Sequence, residues 1–342
     1  VSEYIDLCRE TVQALEFLGK SGAEVDKRFL LKEYGNFLRT VPYTMKEVAD
    51  TLKMPREILD LLYPYFCYVG VPESRQSFML FAAMLYSYIA YGAVIPKMRS
   101  HEIAVAMIAK FEEHGGLLEL NTKVEQILAS NGKIKGVVTS HGEEIASSVV
   151  VSNAGPPLVY GNLVNPKTQV PAAALRNLNA RKAGPSAFVV YLGLNASIEQ
   201  LGLTDYSYFI SPHMDTDLIY ESLGELGAPM MQASICLNAA IPDCSPPGTT
   251  ILSLTTLYRP GVWDNVGPEE YFPMKNRLAE KMIKQFESAT GADLLNHIEE
   301  IEVAAPQTFA RYTGAENGNV YAWEPEPWDS IVPRALSEDR ER

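Results

Sequence analysis

SHEIAVAMIAKFEEHGGLLELNTKVEQILASNGKIKGVVTSHGEEIASSVVVSNAGPP, residues 100–157, is the stretch on which the fold of this chain turns. Ile103, Met107, Ile108 and Phe111 fall on one helical face. Ser100 stands where an N-cap belongs, and Gly115 follows His114 where a left-handed stop belongs. Leu117-Leu118-Glu119-Leu120 then reads as a short buried strand. Two alternating runs, 124–129 and 134–139, are joined by Asn131-Gly132, the strongest short hairpin signal there is. His141-Gly142 turns the chain again into 143–146. Last comes Val149-Val150-Val151, breaking into Ser152-Asn153-Ala154-Gly155-Pro156. An unbroken valine run predicts a strand buried on both faces, as in a parallel sheet. The small residues then sit at its carboxyl end, where open α/β sheets place ligands.

On the N-terminal side the chain reads as helical to about residue 95. Tyr4, Ile5, Cys8, Val12, Leu15 and Leu18 make one stripe, and residues 29–38 a second helix. Thr44 with Glu47 is a capping box, and Pro55 opens a helix running through Leu62. Residues 76–96 contain no charge, nearly the length of a membrane span. Tyr86, Tyr88 and Tyr91 lie within that run, and Gly92 and Pro96 end it. A buried helix fits better, its tyrosines either lining an apolar ligand cavity or simply packing a core. Tyr63, Tyr65, Phe66 and Tyr68 form a dense aromatic cluster, read either as a helix-end core or as the wall of a long hydrophobic pocket. Beyond residue 157 the runs 187–194, 206–210, 230–237, 249–257 and 298–303 predict an antiparallel sheet, and 272–288 a helix. The charged tail, 336–342, is expected to fray.

With 47% hydrophobic and 21% charged residues in 342, the chain can bury a large core and has room for about two domains. A net charge of -13 argues against a nucleic-acid partner, whose phosphates need a basic face. Cys8, Cys67, Cys236 and Cys244 are scattered, so packed, reduced thiols are expected rather than a disulfide framework or a metal site. No G-x-S-x-G elbow supports a catalytic serine. Adjacent carboxylate pairs such as Glu112-Glu113 do not share a face, so they imply no general acid/base pair. The catalytic residues stay unknown at this level.

Four segments carry a resemblance: 113–156, YPYFCYVGVPESRQS at 63–77, PSAFVVYLGLN at 185–195 and RYTGAENGNVYAWE at 311–324. Together and in this order they resemble the phytoene desaturase-like flavin oxidoreductases, a group of carotenoid desaturases, carotenoid isomerases and retinol saturase-like proteins. The resemblance implies FAD as cofactor and an α/β (α+β) fold. It comprises an incomplete FAD/NAD(P)-binding Rossmann-like domain with a β-meander, plus a substrate domain of helices and an antiparallel sheet. Residues 1–96 would be the helical part of the substrate domain and 97–160 the middle of the FAD domain. Residues 161–305 would be the sheet part, and 306–342 the return towards the FAD domain.

By resemblance, Val124 meets the adenine of FAD through its backbone, and Asn153, Ala154 and Gly155 lie beside the adenosine half. Tyr312 and Gly314 lie on the segment leading to the flavin. The residues alone leave Val124 open as a plain strand valine and 153–155 as a tight turn. Tyr65, Phe66, Tyr68, Tyr86, Tyr88 and Tyr91 are the candidate contacts to an apolar substrate.

Two departures bear on the cofactor. Nowhere are two glycines separated by one residue, so the G-x-G-x-x-G turn that brings backbone N–H groups to a pyrophosphate is absent. The closing glycine-rich flavin segment is absent too. The chain therefore reads as the interior of a longer protein or a truncated copy. Its partners would be the missing FAD-domain segments of its parent chain, and alone it is expected to hold FAD weakly.

The implied activity is desaturation, saturation or isomerisation of a long apolar polyene, such as a carotenoid or retinoid, by hydride exchange with the flavin. The rival readings are a relative of flavin amine oxidases or protoporphyrinogen oxidase, and a non-catalytic chain binding an apolar ligand or partner. No secretory signal opens the chain. The expected location is cytoplasmic, with peripheral contact on a membrane that supplies the polyene.

Overall fold

The computed structural model describes residues 1–22, 24–227, 231–330 and Arg334. The charged tail, 336–342, and the first residue of the strand expected at 230–237 lie outside the described residues.

The N-terminal part is a cluster of helices. Ser2–Ser21 buries Tyr4, Cys8 and Val12 of the expected stripe, with Thr11 and Ala14 beside them, while Ile5, Leu15 and Leu18 are half-buried. The helix expected at 29–38 divides at Tyr34 into Lys27–Glu33 and Gly35–Thr40, the first capped by the Asp26 carboxylate. Met45–Thr51 begins with the expected capping box: Glu47 N–H donates to Thr44 Oγ1 (3.2 Å) and Thr44 N–H to Glu47 Oε2 (2.8 Å). Arg56–Leu62 follows Pro55, and Tyr63–Tyr68 continues it as a tighter 3-10 turn. The uncharged Phe78–Tyr91 helix inserts Phe78, Phe81, Ala82 and Leu85 among Tyr4, Cys8, Met45 and Tyr63. Only its first half is buried. Tyr88, Ile89 and Tyr91 are 42%, 54% and 65% exposed, although Tyr65 lies against Tyr88 and Glu16 accepts from Tyr91.

The hairpin forms as its turn dictates. Val124–Ser130 (β1) and Lys133–Thr139 (β2) pair antiparallel, and Asn131 and Gly132 both take positive φ (51° and 70°), as a type I′ turn requires. The register slips where Leu128 faces Gly136 and Ala129 faces Ile134. There a Cβ on Gly136 would lie 2.2 Å from the Ile145 carbonyl oxygen. Glu144–Ala146 (β3) completes the meander, and Val164–Asn165 (β4) adds a short parallel partner, giving the order β3-β2-β1-β4.

The parallel core expected around this meander does not assemble among the described residues. Residues 117–120 form no strand, and Leu117 and Leu120 are 87% and 72% exposed. Residues 149–151 form none either, with Val149 and Val151 70% and 94% exposed. Only Val150 turns inward, to pack with Ile127, Leu163 and Val164. The His101–Glu113 helix forms where its spacing places it, stopping before Gly115, yet buries no residue; Ser100 gives it no side-chain cap. A strand buried on both faces needs neighbours to satisfy its N–H and C=O groups on both edges. No described segment supplies them.

The rest is a five-stranded antiparallel sheet. Its strands are Ser186–Leu194 (β5), Ser207–Ile210 (β6), Gln232–Cys236 (β7), Thr250–Tyr258 (β8) and Ile298–Ala304 (β9). They lie in the order β6-β7-β8-β5-β9. One face of β5 carries Phe188, Val190, Leu192 and Leu194 against Leu278, Met282, Ile283 and Phe286 of the Pro268–Thr290 helix. The alternate residues Ala187 and Val189 face the other way, onto Phe66, Cys67, Ile219 and Leu223. The aromatic segment 63–68 is thereby seated on the sheet. No helix among the described residues is long and apolar enough to cross a membrane.

Candidate functional site

Two clefts meet beside the end of the valine run. One, of about 560 Å³, is lined by Lys123, Val124, Ile127, Val151 and Ala154. The other, of about 660 Å³, is lined by Asn153, Gly155, Gly314, Asn319, Ala322 and Trp323. Leu158 and Asn162 belong to both, so the two clefts are neighbours that share this wall, and together they make up the trough. The structure thus gathers Val124, Asn153, Ala154, Gly155 and Gly314. Tyr312 is left out: it is 79% exposed and lines neither cleft.

The lining tests what the trough can hold. Asn153 and Asn162 offer amides, the Asn319 amide is held by the Glu316 carbonyl and the Ala322 N–H, and Ala154 and Gly155 leave room beside the backbone. Those features suit an adenosine group. Lys123 is the one cation among the described lining residues, against Glu125 and Glu316, so the trough offers a diphosphate little neutralisation.

The candidate substrate residues divide. Tyr65 is the hub of a ring cluster, with centroids 6.0 Å from Tyr68, 5.7 Å from Tyr88 and 5.4 Å from Phe209 of β6. Phe66 turns the opposite way into the sheet core. Tyr86 packs on the helical core, and Tyr91 reaches Glu16 with its hydroxyl (2.8 Å). Neither joins the cluster. Phe209 was not singled out by the sequence, where it is one aromatic in an alternating strand.

A polar clasp also escaped the sequence reading. Arg75 donates to Glu324 and Glu326, Tyr220 donates to Glu324, and Lys182 and Trp328 donate to Glu326 (2.8 and 2.7 Å). Burial pushes the Glu326 carboxyl up, but the donors Lys182, Trp328 and Arg75 outweigh it and bring it down to about 2. Both halves of the clasp lie in or beside segments that carry the resemblance, yet nothing in one sequence pairs positions so far apart. The buried cysteines offer no nucleophile, since burial raises the Cys8 and Cys67 thiols to about 12.

The family model for flavin containing amine oxidoreductases matches residues 13–270. This chain belongs to that family. The flavin amine oxidoreductase family typically binds FAD. Among its relatives, an inactive all-trans-retinol 13,14-reductase of Danio rerio is 30% identical over 253 residues, covering 68% of this chain and 41% of that protein. A chloroplastic prolycopene isomerase of Daucus carota is 21% identical over 280 residues, covering 81% of this chain and 44% of the isomerase. The chain therefore spans less than half the length of these curated relatives. A redesigned putrescine oxidase superposes with a TM-score of 0.57 at 11% identity, over 96% of this chain and 65% of the oxidase. At that identity the likeness shows the fold alone: this amine oxidoreductase chain shares the mixed α/β architecture of the oxidase.

Proposed function

We propose that this chain serves an FAD-dependent oxidoreductase that desaturates, saturates or isomerises a long apolar polyene of the carotenoid or retinoid kind. One observation carries the reading. The Tyr321 hydroxyl donates to the Cys67 carbonyl oxygen. Tyr321 stands between Val320 and Ala322 of the trough, and Cys67 stands between Phe66 and Tyr68 of the aromatic segment. The cofactor trough and the ring cluster are therefore one hydrogen bond apart.

In this reading Val124, Asn153, Ala154, Gly155 and Gly314 hold the adenosine end of FAD, and Tyr65, Tyr68 and Tyr88 flank the polyene. When bound, the flavin supplies the hydride chemistry; the protein supplies position and exclusion of water. Residues 1–96 and 161–305 form the substrate side, and 97–160 with 306–342 the cofactor side. A cytoplasmic location against a membrane surface belongs to the same proposal, since an apolar polyene has to be drawn from lipid.

The test is binding by the full chain. Calorimetry at high ligand concentration should show weak FAD binding that Gly155→Trp abolishes, because the new ring fills the trough, while all-trans-retinol still binds the variant. If neither FAD nor retinol binds the unaltered chain, the reading is wrong. A second, non-catalytic reading is favoured by the relative that is itself named inactive. Retinol binding with no FAD-dependent product on chromatography would select it.

A further inference from the structure

Trp323 stands apart from the other two tryptophans. Trp263 is 3% exposed and stacks on Phe188 inside the sheet core. Trp328 is half exposed and spends its indole N–H on Glu326. Trp323 is half-buried, lines the larger cleft of the trough, and meets no other aromatic ring among the described residues.

Its place is fixed from behind. The backbone around it pairs with residues 182–184: Gly184 N–H donates to the Ala322 carbonyl (3.0 Å) and Glu324 N–H to the Lys182 carbonyl (2.9 Å). The Arg181 guanidinium lies over the indole, 4.4 Å from the ring centroid. Asp329, 3% exposed, holds that guanidinium at 3.3 Å and takes Arg334 at 3.0 Å as well. A guanidinium over an indole is attracted by the ring's quadrupole. Anchored in this way, Arg181 keeps the ring from turning and covers one face, leaving the opposite face for the cleft.

The rest of the cleft suits a flat ring. Phe309, Val320 and Leu158 give apolar walls, and Asn153 and Asn162 bring amides. Glu316 is the one charge among its described lining residues. A flat heteroaromatic ring has an apolar face for the indole and a polar edge for the amides. A phosphate has no such face and would find no cation here.

We infer that Trp323 is a stacking platform for the isoalloxazine ring of a flavin. The inference rests on the FAD reading and deepens it. Val124, which meets the adenine in that reading, lines the other cleft, so the second ring system of the cofactor reaches Trp323. Aromatic side chains stack on bases through the π-face that every base has, and isoalloxazine offers a larger one. Such a stack needs no charge. It therefore secures the flavin end of a trough that neutralises a diphosphate poorly.

The experiment titrates the full chain with two probes. Riboflavin carries the flavin ring without phosphate or adenine, and adenosine carries the base without the flavin. Riboflavin is followed by its own emission, which stacking on an indole quenches, and adenosine by calorimetry. Trp323→Leu keeps apolar bulk and removes the ring. It should weaken riboflavin about tenfold, within the range found for aromatic–base stacks, and leave adenosine unchanged. Trp323→Phe should recover part of that loss. Unchanged riboflavin affinity in Trp323→Leu overturns the inference. So does an equal loss of both probes, which reports a collapsed wall rather than a lost stack. So does an unaltered chain that binds adenosine but not riboflavin. In those cases the FAD reading itself survives. If the unaltered chain binds neither probe, both fall. Should Trp323→Leu fail to fold, the unaltered chain still decides: bound riboflavin that stays bright overturns the inference.

Discussion

β5 lies between β8 and β9, with every residue from Ser186 to Leu194 opposite a partner on β8. Residues 149–151 lie alone, with Val149 and Val151 in solvent. Both runs are apolar, and the all-valine run 149–151 is the more β-branched of the two, so propensity does not explain the difference. What separates them is the company on their edges. Val190 and Leu192 are buried because two strands satisfy the backbone and the Pro268–Thr290 helix covers the face. The same contrast holds between helices: Pro268–Thr290 buries Leu278, Met282, Ile283 and Phe286, whereas His101–Glu113 buries nothing although Ile103, Met107 and Phe111 share a face. An apolar pattern proposes an element, and tertiary partners decide whether it becomes core.

The contrast is sharpest at two phenylalanines. Phe286 is fully buried among the sheet residues. Phe286→Ala should therefore cost about 3–5 kcal/mol, the lost transfer energy plus a cavity that rigid neighbours cannot fill. Urea unfolding would measure it as a lower midpoint at unchanged slope. A cost below about 1 kcal/mol would mean that the packed side of the molecule is no better ordered than the exposed side.

A smaller effect separates the clasp from ordinary surface charge. The Glu326 carboxyl is held at about 2, below its ordinary 4.5, by Lys182, Trp328 and Arg75 acting against its burial. Its contribution is full above the unfolded-state value and is lost as pH falls from about 4.5 through 2. Lys182 is more than half exposed, so solvent screening holds the loss to roughly 1–2 kcal/mol. Thermal melts at pH 5 and pH 2.5 should show a steeper fall for the unaltered chain than for Glu326→Gln. Parallel curves would remove Glu326 from the account of the clasp.

What the sequence disclosed follows the same division. Local chemistry was legible. Asn131-Gly132 has to turn because both residues take positive φ, and Thr44 with Glu47 has to cap because three residues bring their polar groups together. The antiparallel sheet was legible from alternation. The trough was legible only through resemblance, since Val124 and Gly314 are ordinary residues apart from their neighbours. Juxtapositions across the chain were not legible: Tyr65 with Phe209, and Arg75 with Glu324. Tyr86 and Tyr91 share a helix with Tyr88, and only its side of that helix faces Tyr65. Composition marked the run without saying which face would count.

The smallest expected effect tests the exposed side directly. Phe111 is 53% exposed on a helix that buries no residue, and its ring lies over Gly116 at the end of the same helix. Phe111→Ser removes apolar surface that water already reaches, so little transfer energy is lost. Helix propensity changes by only a few tenths of a kcal/mol, since Phe and Ser rank closely. The variant should unfold within about 0.5 kcal/mol of the unaltered chain. It should also stay in solution to higher concentration, because one member of an exposed apolar face is gone. Urea unfolding with light scattering on the same samples would read both. A loss of about 3 kcal/mol would show that the ring is packed in solution. The His101–Glu113 helix would then belong with the packed side, and the contrast with Pro268–Thr290 would disappear.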